Sequence, residues 1–566
     1  MNNFFFNNFK SFFLILGNKN LFRFLVIVLL NLILSIFELI GVLSIIPILT
    51  MLISDIFYNK LTNFFGLVNY TKNEIVLFFI IFLFLIFFLK FLYSLFVKYI
   101  NSNFIHDIRY SVSDNLFYRY LCNNFDFYLS NHSSKLLRNI ELVNQYSAFI
   151  SVLLIIIVDS LFIIFSIIVG IFFNFKLTSF IIFLTLVIFL IYKNIFKKKV
   201  FKITKKKLFY EAANYKQIAE TFSSIKEVMV YQLKDYFYRE FSADNKNKNQ
   251  LGGKLLFLQS LPVIFFEFFT VVLVIGYILI LFLFQKEKEE ILLLVSVFSV
   301  FAVKLIPSVA RVLASYQSAI SYSASIKFLE KEFIKIFNNF NAPKRLIVGK
   351  LIKIKNFSLK YNNKELFAKC SLEFEKSKIT SIIGSSGSGK TSIVNFLTGL
   401  IQSSKAKFYI DNKLINKKNI YLNVALVGKD NFILDDTIKN NIIFKDKYDK
   451  NKLEKVCKAV NLDVLINSLP KKLDFRTAEK GLKLSDGQKQ RIFIARALYK
   501  NPSVLIFDEA TNSLDKETED NIIKSIIKLK DKTIIIFISH DIKLVKKISD
   551  KIYFINSIKK KIVKIK

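Results

Sequence analysis

The chain has 566 residues, too many for one ordinary domain, so at least two are expected. Its net charge of +38 would ordinarily suggest a nucleic-acid partner. That class is set aside: 53% of the residues are apolar, and up to about residue 320 they form Phe/Ile/Leu runs separated by basic loops, where a membrane protein carries its cations.

Cys122, Cys370 and Cys457 stand alone without C-x-x-C spacing, which argues for idle thiols rather than a disulfide framework or a metal site. The opening MNNFFFNNFKSFF has no basic start and no small-residue cleavage site. It reads as a helix lying in a membrane interface, not as a removed signal peptide.

Six stretches are apolar enough to cross a hydrocarbon core, which takes about 20 helical residues. They lie near 21–53, 75–97, 149–173, 177–196, 255–284 and 291–313. The loops between them sort by charge. Lys98, Arg109, Arg119, Lys135 and Arg138 follow the second run, and the lysines at 197–199 and 205–207 follow the fourth. The opposite loops, 174–176 and 285–290, are short and nearly neutral. By the positive-inside rule both termini and both long loops face the cytoplasm of a bacterial inner membrane. The long loops have helical character, and their tips near 125–128 and 221–228 are expected to dock on whatever follows. The segment 55–71 is too short to span and is aromatic, so it is expected to lie on the outer membrane surface.

Lys90, Lys304 and Arg311 fall inside or at the ends of runs, where a cation at the bilayer centre costs ~3 kcal/mol. Lys304, Ser308, Arg311, Ser315 and Ser318 recur at steps of four and three, one polar stripe on a helix interrupted by Pro307. Acids and amides lie on similar faces elsewhere: Asn31, Ser35 and Glu38, then Asp159 and Ser166, then Ser260 and Glu267. Two readings stand: acid–base pairing across the bundle, or a wet cationic cavity for a phosphate or pyrophosphate head group.

The remaining chain alternates like a soluble α/β protein. An apolar strand at 378–383 runs into Gly384, Ser385, Ser386, Gly387, Ser388, Gly389, Lys390 and Thr391 (GSSGSGKT), with a helix after it. The glycines let backbone N–H groups close around phosphates at a helix N-terminus, while Lys390 reaches the β/γ oxygens and Thr391 offers a hydroxyl to magnesium. A second apolar strand ends in Asp508, a magnesium-holding acid, and Glu509, positioned as general base for an attacking water. Between loop and acids lies LSDGQKQR at 484–491.

Loop, peptide and acidic strand in this order resemble the ATP-binding cassette of ABC transporters, whose signature usually reads LSGGQ. The resemblance covers 346 to the C-terminus, and the six runs match the exporter branch in order and size. The expected architecture is a membrane all-α six-helix exporter domain (1–330), a linker (331–345) and an α/β P-loop ABC ATPase domain (346–566). The resemblance implies that Tyr361 stacks on adenine and that His540 in ISHD senses the γ-phosphate. It also implies that Asp515 in SLD addresses the opposite subunit. Ser485, Asp486, Gly487 and Gln488 would close on the ATP and Mg2+ of a second copy, hence a homodimer. Two positions depart from the family pattern: Lys429 stands where relatives carry a glutamine reaching magnesium, and Asp486 replaces a glycine. Either both side chains turn aside or together they slow hydrolysis.

The stretches 38–49 (ELIGVLSIIPIL) and 304–326 (KLIPSVARVLASYQSAISYSASI) are similar to bacterial lipid-linked oligosaccharide flippases, as is the outer segment after the first run. That resemblance implies a polyprenyl-pyrophosphate glycan as cargo, with Lys90, Lys304 and Arg311 on its head group and membrane lipid as the surroundings. The alternatives are export of a hydrophobic drug or phospholipid, and a membrane-bound regulatory ATP-binding protein with weakened hydrolysis.

Overall fold

The computed structural model describes residues 3–566 apart from 46, 49–50, 52–70, 174, 284–287, 338–343, 362–363, 402–405, 416–419, 429–430, 512 and 557–559. The chain divides into two compact units, Met1–Asn123 with Tyr128–Phe340 and Asn124–Phe127 with Asn341–Lys566. The expected outer segment 55–71 falls, except for Thr71, outside the described residues, as does Lys429.

The first unit is helical. Its long helices are α1 (Asn3–Leu43), α2 (Lys72–Leu121), α4 (Ser133–Phe173), α5 (Phe175–Ser223), α7 (Lys234–Leu283) and α8 (Lys288–Phe337). Two six-residue helices, α3 (Phe125–Ser130) and α6 (Ile225–Val230), form the tips between α2 and α4 and between α5 and α7. α1 breaks at Gly17, whose φ of 75° is open to a residue without Cβ. α2 starts on a capping box: Thr71 Oγ1 accepts from Glu74 N–H, and Glu74 Oε2 accepts from Thr71 N–H at 2.8 Å.

At 50 residues, α2 measures about 75 Å, more than twice a ~30 Å hydrocarbon core, so it must continue far beyond one. Among the described residues, windows in Ile15–Leu43, Lys72–Leu121, Ser133–Phe172 and Lys234–Phe269 are long and apolar enough to span. The expected runs at 177–196 and 291–313 are helical in backbone, but most of their side chains lie outside the described residues. α8 carries on to Phe337, beyond the expected boundary at 330.

In the second unit the strands that matter here are β2 (Leu351–Tyr361), β3 (Lys364–Glu375), β4 (Ile379–Gly384), β9 (Val504–Asp508) and β10 (Ile534–Ile538). The unit is built on a six-stranded sheet in the order β12 (Lys561–Lys564), β11 (Lys551–Asn556), β4, β10, β9, β8 (Val424–Val427) and a four-stranded sheet in the order β3, β2, β5 (Lys407–Ile410), β6 (Lys413–Ile415). β4, β8, β9, β10 and β11 are parallel neighbours, so helices must cross over both faces. β10 (IIIFI) accordingly reads as an unbroken apolar run with every residue buried, as does β9 up to Asp508, while β4 buries Thr380 and Ser381 among its isoleucines. Phe357, Phe367 and Phe396 stack under the four-stranded sheet with ring centroids 5.4 and 4.6 Å apart. This aromatic wedge fixes the antiparallel sheet against α9 (Lys390–Leu397), the helix that starts at the Gly-rich loop.

Candidate functional site

Parallel register brings the ends of β4, β9 and β10 to one edge. Ile538 pairs with both Asp508 and Ile382, so the residues after each strand emerge side by side. The loop after β4 turns through Gly387 (φ 74°) and Gly389 (φ 97°) into α9. A Cβ on Gly389 would stand 2.7 Å from the Phe367 ring, so glycine is required there by conformation and by space. Lys390 is buried, and its Nζ donates to the carbonyls of Gly384 and Ser385 at 2.9 Å each. Burial lowers the Lys390 ammonium below the usual lysine value, while the charges of Glu509 and Asp508 act to raise it.

These residues fit a nucleoside triphosphate with magnesium. Among the described residues the buried Ser388 Oγ meets no hydrogen-bond partner, and Lys390 is held by two carbonyls that a phosphate oxygen can replace. Thr391 is exposed at the start of α9, and Asp508 supplies a half-buried carboxylate; both are the hard oxygen donors magnesium takes. Burial pushes the Asp508 carboxyl above the usual aspartate range, helped by Glu509 and opposed by Lys390 and His540.

Glu509 adopts φ +54°, an uncommon backbone conformation for glutamate, and its N–H donates to the Ile538 carbonyl at 2.9 Å. That turn aims its side chain across the strand end, where Glu509 Oε1 lies 2.7 Å from His540 Nε2. The expected base and histidine therefore meet. Tyr361 closes β2; its side chain lies outside the described residues.

After three short helices, α10 (Ile438–Ile443), α11 (Lys450–Ala459) and α12 (Leu462–Ser468), the helix α13 (Asp486–Tyr499) begins at LSDGQ. Ser485 caps it through a reciprocal box, with Gln488 N–H donating to Ser485 Oγ at 3.3 Å and Ser485 N–H to Gln488 Oε1 at 3.0 Å. Asp486 sits in the first turn, where an acid suits the helix dipole, with its side chain 87% exposed and paired to Lys489 at 3.3 Å. A Cβ on Gly487 would stand 3.0 Å from the Ser513 carbonyl, so signature and SLD peptide abut within one chain. Asp515 caps α14 (Lys516–Ile527) by accepting from Thr518 N–H at 2.9 Å, which lowers its carboxyl pKa.

Sequence reasoning passed over a clamp behind these residues. Gln490, buried on α13, donates to the Ala510 carbonyl beside Glu509 at 2.6 Å. Arg496 donates to the carbonyls of Asn441 and Phe432 at 2.8 Å each and stacks on Phe444, and burial lowers its pKa to about 10. Asn441 and Thr477 both hold the Leu434 carbonyl, at 3.0 and 2.8 Å. The available signal was a glutamine and an arginine on the otherwise apolar buried face of α13.

In the helical unit Arg311 forks onto Asp159, with Nε to Oδ2 at 2.9 Å and Nη2 to Oδ1 at 2.6 Å, and its Nη2 also donates to Ser308 Oγ at 2.9 Å. Arg311 is thus paired with an acid across the bundle. Lys90 lies 3.9 Å from Glu38 and packs over Gly41, where a Cβ would stand 4.0 Å from the Lys90 Cδ. Lys304 lies beside Lys90, close enough for their charges to act on each other. Among the described residues Lys304 has no ion pair of its own.

The fold and the loop edge define a helical membrane domain joined to a phosphate-binding α/β ATPase cassette. Residues 367–512 match the ABC transporter model and residues 37–305 match the ABC transporter transmembrane region. The chain carries the transmembrane and ATP-binding domains of an ABC transporter. A solved structure described as a bacterial Atm1-family ABC exporter with ATP bound shares the fold, with a TM-score of 0.80 at 19% identity over 96% of this chain and 95% of the other. The multidrug resistance-like ATP-binding protein MdlB of Buchnera aphidicola is 33% identical over 36% of this chain, and an ATP-dependent lipid A-core flippase of Wigglesworthia glossinidia brevipalpis is 34% identical over 38%. These matches span only 38% and 39% of the relatives' own lengths.

Proposed function

We propose that this chain works as a homodimeric ATP-driven exporter in the bacterial inner membrane, with termini and cassette in the cytoplasm. Its cargo on this reading is an anionic lipid-linked molecule, a polyprenyl-pyrophosphate oligosaccharide in the narrowest form. The Glu509–His540 contact at 2.7 Å supports hydrolysis: Glu509 accepts a proton from the attacking water, and His540 orients that carboxylate. Lys390 would exchange the loop carbonyls for phosphate oxygens, and Thr391 with Asp508 would hold magnesium, which would supply charge neutralisation to the phosphates. The signature of one copy closes on the Gly-rich loop of the other. The tips α3 and α6 carry that closure to the spans, a shift of population between access states.

The observation that carries the cargo reading is Lys304 beside Lys90 inside an apolar helical unit, with Lys90 3.9 Å from Glu38 and Lys304 without an ion pair among the described residues. Arg311 is already neutralised by Asp159, so an anion would have to displace a carboxylate to use it. The test is ATP-driven flipping in proteoliposomes offered pyrophosphate-linked glycolipid, plain phospholipid and a hydrophobic dye. Glycolipid should move, and Lys90→Ala with Lys304→Ala should abolish movement while basal ATPase survives. Dye or phospholipid moving equally well in that variant would favour the multidrug or lipid exporter suggested by the relatives' names. Absence of magnesium-dependent ATPase in the intact protein would favour a regulatory ATP-binding role.

A further inference from the structure

In the first long loop Arg119 donates to Asn115 at 2.6 Å and stacks over Phe333, Lys135 lies 3.7 Å from Glu332 and Arg138 stacks over Phe328, whereas Lys98 and Arg109 on α2 are exposed. On α5, Lys198, Lys199, Lys202, Lys205 and Lys206 are all exposed, and among the described residues none has an ion pair. At 3.6 residues per turn they fall within about 120° of the helix circumference. Val200 and Thr204, on the opposite side, are buried.

Neither α5 nor α7 brings an acid to this face. The first acid along α5 after these lysines is Glu211. On the neighbouring α7, whose Leu255 packs with Val200, there is no acid between Asp244 and Glu267, and Lys254 adds another exposed cation. The face begins directly after the apolar run 177–196, so at 1.5 Å per residue it extends roughly 3 to 15 Å past the hydrocarbon edge. That is the depth of phospholipid head groups and of their surface potential, which decays within a Debye length of about 8–10 Å.

We propose that this lysine face of α5, with Lys254, binds the anionic head groups of the surrounding phospholipid leaflet, and that the transport cycle depends on that contact. Because α5 leads straight from a span to the tip α6, head groups held along it fix how far the helix stands out of the membrane. The proposal rests on the membrane-side assignment of the loops and not on the identity of the cargo.

The test is ATPase activity of the full-length protein in nanodiscs of phosphatidylcholine alone and with about a quarter phosphatidylglycerol. The anionic lipid should raise the rate about threefold or more, and high salt should remove the increase. Replacing the five α5 lysines by Gln should abolish the increase, replacing them by Arg should keep it, and neutralising the cassette lysines Lys413, Lys445 and Lys447 should leave it intact. No stimulation of the unaltered protein, or full stimulation of the five-Gln variant, would overturn the proposal. Loss of stimulation in Lys304→Ala with retention in the five-Gln variant would mean that the anionic lipid acts as cargo, which also overturns it.

Discussion

His540 Nε2 stands 2.7 Å from Glu509 Oε1, although the two side chains come from peptides 31 positions apart; parallel pairing of β9 with β10 puts them together. Glu509 reaches the contact only by holding φ at +54°. Glu509→Gln is expected to lower kcat by about 100-fold or more, the usual contribution of a placed general base, while ATP binding persists. His540→Ala should lower kcat less, since Glu509 keeps its position through the Ile538 carbonyl. Steady-state ATPase rates alongside nucleotide binding separate these outcomes; equal loss of both would mean the site had collapsed.

Gly389→Ala should abolish ATP binding. The added methyl meets Phe367 at 2.7 Å, and φ of +97° is strained for any residue with a Cβ. Trimming Phe367 to Leu in the same protein relieves only the clash, so binding should stay weak. Recovery in that double variant would assign the whole effect to crowding.

The Asp159–Arg311 fork predicts a strong interaction in a double-mutant cycle. Asp159 is nearly buried, so Arg311→Gln leaves an uncompensated carboxylate and should destabilise the helical unit by about 2 kcal/mol, less than a fully buried pair because the Arg311 side chain is 51% exposed. Asp159→Asn with Arg311→Gln should recover most of that loss. Thermal unfolding in detergent reads the cycle, and strictly additive losses would remove the pairing from consideration.

Burial pushes the Cys457 thiol up to about 12, against about 9 for an unconstrained cysteine. The folded form therefore keeps its proton where the unfolded form loses it, and stability falls as pH rises above about 9, by about 1 kcal/mol at pH 10. Cys457→Ala should flatten that alkaline slope in unfolding measurements. Native Cys457 should also resist alkylation at pH 8, while the partly exposed Cys122 reacts.

The cassette was readable in sequence because its chemistry is carried by contiguous peptides whose strand–loop–helix context sets their geometry. GSSGSGKT, LSDGQ and the acidic strand end all land where the motif order required. The membrane-half pairings were not readable, because Arg311 and Asp159 are 152 positions apart on separate helices and several acids lay on suitable faces. Asp486 illustrates the remaining gap. Sequence marks it as a departure from the family pattern, but only the folded helix gives it a partner in Lys489. The clamp of Gln490, Asn441, Thr477 and Arg496 was missed because buried polar groups whose hydrogen bonds are satisfied look like exposed ones in a linear string.

α13 has 14 residues and so measures about 21 Å, with Ser485 at one end and Arg496 near the other. It is a stiff rod whose first turn abuts the Ser513 carbonyl and whose far end grips the backbone of Phe432 and Asn441. A small displacement felt at the signature is delivered to that distant backbone without passing through any loop that could absorb it.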